Sequence, residues 1–468
     1  MTLHTLTLTE LSAGLAAKRF SSREIADALL GRIAKANDKL HAFIEVYAAE
    51  AQALADAADQ ARASGFPLGP LHGLPIAYKD LCDIAGKVGT GGSKMFEARV
   101  ATETSNTVER LTAAGMVPLG KLHMVEFAFG GWGTNPLMGA PWNPWDLETH
   151  RIAGGSSSGT GVAVAARLTP AGIGSDTGGS VRIPSAFNGL VGLKATFGRI
   201  GLSGTILLSW TLDSIGPLAR CVEDCALLLN ALAAPDPRDP TTLGQPLEDF
   251  TLATRPGSIE GLRIAMPDTR QLPNFMHADV VKCWQAAGRT FESLGATVEA
   301  VRLPDWFFDL SRPAGTIIAS EAYSLHRDYI EDARKAIGPG VRARALQAKT
   351  LLPGAYAEEL RNMAERRQAF AEWFRPHDAI LMPTMALPAI PLSEVDETSP
   401  IPGYLTRPAN YLGLCSLAMP SGQSAGLPLG IQIVGKPFAE RDVLRLGKAF
   451  QDATDHHRQA PDLSTLGL

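Results

Sequence analysis

An α/β fold is predicted for this 468-residue chain by three features. Helical and strand-like patterns alternate along its length, the strand-like runs are apolar enough to be buried, and glycine or proline marks the joins. The first 65 residues read as helical, with Ser21 or Ser22 capping "REIADALLGRIAKAN" and the alanine-rich "YAAEAQALADAADQARASG" closed by a glycine. Next, "LPIAYKD" reads as a buried strand carrying Lys79, and "TVERLTAAGMVPLGKLHM" as a helix, a stop at Gly115 and a short strand. Beyond Arg199, "VEDCALLLNALA" is helical and "GLRIAMPD" a strand, while "HADVVKCWQAAGRTFESLGATVEAVRLP" runs helix then strand. Residues 320–373 are mostly helical, "DAILMPTMALPAIP" is a strand entering a proline-rich loop, and "GLPLGIQIVGKPFAERDVLRLGKAFQDAT" is strand then helix. The proline-rich stretch 233–246 is read as a surface loop, because the same alternation resumes after it. A single domain over 1–468 is expected, with the helical segment 1–65 packed on its core.

Composition narrows the function classes. Hydrophobic residues make up 45% of the chain, net charge is -5 and no basic block stands out, so the charge balance suggests neither nucleic acid nor an anionic membrane as a partner. The N-terminus lacks a signal-peptide pattern and no apolar run reaches spanning length, so the expectation is a cytoplasmic protein with no membrane contact. Five cysteines, an odd number with no C-x-x-C pair, fit reduced thiols. Cys221 and Cys225 would share one helix face as buried packing. No metal or other cofactor is expected.

The chemistry concentrates in "RIAGGSSSGTGVAVAARLTPAGIGSDTGGSVRIPSAFNGLVGLKATFGR", residues 151–199. A flexible linker would not carry "GVAVAARL" and "GLVGLKA", which must be buried. A phosphate loop needs a lysine where Thr160 stands. Ser157 matches the G-x-S-x-G nucleophile elbow, yet "NPWDLETHRIA" is not the hydrophobic strand that should precede one. A further reading joins the two serine clusters. The glycines of "GSDTGGS" let successive backbone N–H groups converge on one point, as in an oxyanion hole, with a serine at the loop's end as nucleophile. No histidine base and no S-x-x-K pair lies within reach in this stretch.

"GGSSSG" (154–159), "GSDTGGSVRIPSAFNGLVGLKATFGRIG" (174–201) and "LHGLPIAYKDLCD" (71–83) together resemble the amidase signature family. So do "SWTLDSIGPLARCVEDCALLL" and "GLPLGIQIVG", with 240–400 the least characteristic region. The resemblance implies a large twisted mixed sheet flanked by helices on both faces, often in a homodimer. It also implies a Ser-cisSer-Lys triad of Ser180 as nucleophile, Ser156 as bridging serine and Lys79 as base. Oxyanion donors fall on the backbone N–H groups of Thr177, Gly178, Gly179 and Ser180, and Ser157, Asp176 and Arg182 match the supporting polar residues. Asp213 and Asp224 fit the family pattern and are read as capping or structural. Physical chemistry is consistent with a lysine base. An amine accepts a proton only when neutral, and burial in an apolar strand lowers its pKa, with Asp80 turned to the opposite face.

The expected activity is hydrolysis of small carboxamides, anilides or carbamates through an acyl-enzyme, extending to esterase or urethanase action, with a small-molecule substrate and no nucleic acid. Phe129, Gly130, Gly131, Trp132 and Tyr404 are the expected pocket walls, with Tyr411 a further aromatic candidate. Two alternatives stand beside it: the A-type subunit of a glutamine-dependent tRNA amidotransferase, and a non-catalytic scaffold. In the first of these an aspartate before "PAN" helps hold glutamine, and Gly403 occupies its place here.

Overall fold

The computed structural model describes residues 2–66 and 68–468. Among the described residues eleven strands form one mixed sheet. In chain order they are β1 (Phe43–Val46), β2 (Pro75–Lys79), β3 (Val117–Leu122), β4 (Ala171–Ser175), β5 (Val191–Lys194), β6 (Ile215–Ala219), β7 (Arg263–Pro267), β8 (Thr297–Val301), β9 (Ala379–Pro383), β10 (Cys415–Ser424) and β11 (Leu427–Gly435). Their order across the sheet is β1-β3-β2-β4-β6-β5-β10-β11-β9-β7-β8. β2 runs parallel to β3 and β4, and β7 parallel to β8 and β9. The remaining pairs are antiparallel.

β2, β4, β5, β6, β9 and β11 are buried at every residue. Helices cover both faces of the sheet, so these strands read as unbroken apolar or small-residue runs without alternation. The helix Ala278–Ser293 packs on β8–β11, Glu440–Asp452 on β10 and β11, and Arg182–Asn188 on β5, β10 and β11.

Local signals account for the boundaries. Ser21 caps the helix Ser22–Leu40 in a reciprocal box, its Oγ accepting from Glu24 N–H (3.0 Å) while Glu24 Oε2 accepts from Ser21 N–H (2.7 Å). The first 65 residues are not wholly helical, however. After His41 turns left-handed at φ 52°, Asn37 bonds both backbone groups of Phe43, and the chain becomes the edge strand β1. Four residues are too few to show a period. The run "GVAVAARL" contributes to a helix, Ser158–Ala165, buried throughout. Asp224 accepts from Leu8 N–H (2.8 Å) and Thr9 N–H (2.9 Å) and so caps the first helix, Leu8–Ala16, from across the fold. All five cysteines are free, and Cys221 and Cys225 are buried. Among the described residues no helix is long and apolar enough to cross a membrane.

Candidate active site

β2 and β4 lie side by side and parallel, with Tyr78 opposite Ile173. Their last residues, Lys79 and Ser175, therefore emerge together at the carboxyl edge of the sheet, where open α/β folds collect ligands. Lys79 Nζ lies 2.6 Å from Ser156 Oγ and 2.8 Å from Ser175 Oγ, and the whole lysine is 0% exposed. Burial lowers its pKa from 10.5 to about 7, against the opposing pull of Asp213 and, more weakly, Asp176. Asp80 faces elsewhere, as the strand alternation requires. It accepts from Thr90 N–H (2.9 Å) and lies 3.4 Å from Lys121 Nζ.

The first serine cluster enters through a cis peptide between Gly155 and Ser156. A Cβ at Gly155 would come within 2.8 Å of Val125 Cγ2 and 2.9 Å of Gly133 N, so only glycine fits that approach. Ser157 is fully buried at the start of the helix Ser158–Ala165, with its Oγ 3.3 Å from both Ser175 O and Ser175 N. Its own N–H donates to Ser180 O at 3.3 Å, which ties the two serine loops together. No strand leads directly into Ser157, so the elbow geometry is absent.

The second cluster is wound around Asp176. Its carboxylate accepts from the N–H groups of Gly179 (2.7 Å), Val181 (3.2 Å) and Arg182 (3.4 Å), from Arg182 Nε and Nη2 (both 3.0 Å), and from Asn410 Nδ2 (2.8 Å). Burial alone would raise its pKa, but the Arg182 guanidinium and these donors hold the carboxyl well below the usual carboxylate range. Arg182 completes its shell with Thr406 O (3.0 Å), Gln432 Oε1 (2.9 Å) and Asn410 Oδ1 (2.7 Å). One expected oxyanion donor is thereby removed. The N–H of Gly179 is spent on Asp176, whereas those of Thr177, Gly178 and Ser180 have no acceptor among the described residues. Thr177 Oγ1 donates to Asp213 Oδ1 (2.5 Å). Burial raises the Asp213 pKa to about 6, with Thr177, Ser209 and Leu208 as its donors.

Ser180 is on the wall of a narrow cavity of about 70 Å³, together with Thr177 and Gly178. Phe129, Gly130, Gly131 and Trp132 also line this cavity. Tyr404 does not. Its ring stacks on Phe308 (centroids 6.0 Å, 7° apart) and meets Phe275 edge-on (5.3 Å), because the short helix Ile401–Tyr404 turns Pro402 and Gly403 to the cavity instead. Tyr411 is likewise buried elsewhere, under Arg366. Sequence reasoning missed Ser175 and Asn410, although both sit inside recognisable segments, "GSDTGGS" and "PAN". It also missed Arg344 and Arg407, which reach the cavity from the least characteristic region and its border.

The amidase family model matches residues 24–444. This chain belongs to the amidase signature family. A chain from an inhibitor-bound vestigial protein complex that reveals the evolutionary origins of an s-triazine catabolic enzyme superposes on this amidase-signature chain with a TM-score of 0.90 at 33% identity, covering 96% of this chain and 98% of that one. The peptide amidase of Stenotrophomonas maltophilia gives 0.86 at 29% identity, over 97% and 98%. Among curated relatives, the A-type subunit of the glutamyl-tRNA(Gln) amidotransferase of Alcanivorax borkumensis is 38% identical over 98% of this chain and 99% of its own length. That match corrects the expectation of a small-molecule partner alone with no nucleic acid. The relative is one subunit of an enzyme named for a tRNA. The net charge of -5 describes only this chain's own surface and says nothing of nucleic acid held by a different polypeptide.

Proposed function

We propose that this amidase-signature enzyme, which acts on C–N bonds, is the A-type component of an amidotransferase. It removes the amide nitrogen of a small carboxamide donor as ammonia, for use by a partner subunit that holds a tRNA. The observation that carries this reading is the match to the A-type relative, which runs over 98% of this chain and 99% of that one. The narrow cavity beside Ser180 suits a small donor.

In this reading neutral Lys79 accepts the proton of Ser156 Oγ as Ser156 takes that of Ser180, and Ser180 Oγ forms the bond to the carboxamide carbon. The negative oxygen of the tetrahedral intermediate faces the N–H groups of Thr177, Gly178 and Ser180. Collapse breaks the C–N bond, the same relay returns a proton to the nitrogen, and ammonia departs. Water then hydrolyses the Ser180 ester. Asp176, Arg182 and Ser157 hold the loop shape and touch no reacting atom.

The test is leaving-group release by purified protein, ammonia from glutamine and primary amides, aniline from anilides, and amine or alcohol from carbamates and esters, with Ser180→Ala as control, plus affinity capture from the native host. Ammonia from a primary amide is expected, together with capture of a partner subunit in stoichiometric amount. Release from anilides or carbamates only, by a chain that captures no partner, overturns the reading.

A further inference from the structure

Arg407 opens the short helix Arg407–Tyr411 and lays its side chain along the cavity wall, over the serine loop. Two glycines make room for it. A Cβ at Gly178 would stand 3.1 Å from Arg407 Cγ, and one at Gly403 only 2.6 Å from Arg407 Nε. Nη1 is held by Ser311, 3.2 Å from both its carbonyl oxygen and its Oγ. The Nε and Nη2 edge has no acceptor, and the guanidinium no ion pair, among the described residues.

The other charges at this cavity cancel. Arg344 Nη1 lies 2.9 Å from Glu397 Oε2, and its Nη2 donates to Phe129 O. Two guanidiniums and one carboxylate leave a net positive wall, and the single acid is already paired. Burial, with Arg344 as a like-charged neighbour, lowers the Arg407 pKa to about 10, so it remains a cation at neutral pH. A partly buried cation with a free donor edge calls for an anion, and a guanidinium's two parallel N–H groups match a carboxylate. A substrate ammonium would find no free acid here and a like charge instead.

We propose that Arg407 anchors the carboxylate of the amide donor, so that the donor is a small amide acid recognised through its carboxylate and not through an ammonium. This rests on the amide-cleaving reading above, and the test separates the two. Binding to the Ser180→Ala protein is measured by calorimetry for glutaramate, glutamine and butyramide, which differ only in their charged groups. Glutaramate should bind at least about tenfold more tightly than butyramide, and glutamine no more tightly than glutaramate. Arg407→Gln should cut the glutaramate-to-butyramide ratio at least about tenfold, with part restored in Arg407→Lys. The comparison between ligands needs no folded Arg407 variant. Equal binding of glutaramate and butyramide, no glutaramate binding at millimolar concentration, tighter binding of glutamine, or an unchanged ratio in a folded Arg407→Gln protein each overturns the proposal. Absence of ammonia release by the unmutated enzyme would count against the amide-cleaving reading, while these ratios still decide the anchor.

Discussion

Replacing Lys79 by methionine should sharply lower activity and yet stabilise the protein below neutral pH. The lysine is fully buried, and its pKa falls from 10.5 to about 7 on folding. At roughly 1.4 kcal/mol per unit, holding the charged amine inside costs on the order of 5 kcal/mol at any pH below 7. The folded-state value lies below the unfolded one, so between pH 7 and 10.5 the unfolded chain binds the extra proton and stability rises with pH. Methionine fills similar volume and carries no proton, so the penalty vanishes. Losing contacts to Ser156 and Ser175 offsets about 1–3 kcal/mol. Lys79→Met should thus gain about 2–4 kcal/mol at pH 6 and little at pH 9.5, read by urea unfolding at the two pH values. Its rate of amide cleavage should fall by about 10²–10⁴. A variant less stable than the parent at pH 6, a stability difference that does not shrink with pH, or activity within tenfold would refute a buried neutral amine as the base.

Other consequences can be tested alongside. In the parent enzyme kcat/KM should rise with pH through about 7 and level off above it, because only the neutral amine accepts a proton. Asp213→Asn removes a charge that supports protonated Lys79, so that rising limb should move to lower pH; a shift upward would contradict the arrangement. A fluorophosphonate probe should label the parent and Ser157→Ala but not Ser180→Ala, by mass spectrometry of the labelled peptide. The opposite pattern would restore the elbow at Ser157. Arg182→Leu strands the buried Asp176 carboxylate and should cost about 3–5 kcal/mol in denaturant unfolding. Ser21→Ala, which loses only a helix cap, should cost about 1 kcal/mol by the same measurement.

The sequence alone determined what local chemistry and pattern can encode. Apolar runs and glycine stops placed the helix Asn106–Ala113 before β3 and put Lys79 on a buried strand, and the two Gly/Ser motifs named Ser156 and Ser180 by resemblance. β1 escaped, because four residues carry no period and its partner strand lies more than 70 residues away. Only the tertiary structure decided which hydroxyls meet Lys79, that Asp176 consumes the Gly179 N–H, and that Gly403 rather than Tyr404 faces the cavity. It alone brought Arg344 and Arg407 beside Ser180. The physical reason is range. Burial and turn chemistry are set by a residue and its near neighbours, whereas the charge and donor balance of a cavity is a sum over distant segments, fixed only when the sheet brings them together.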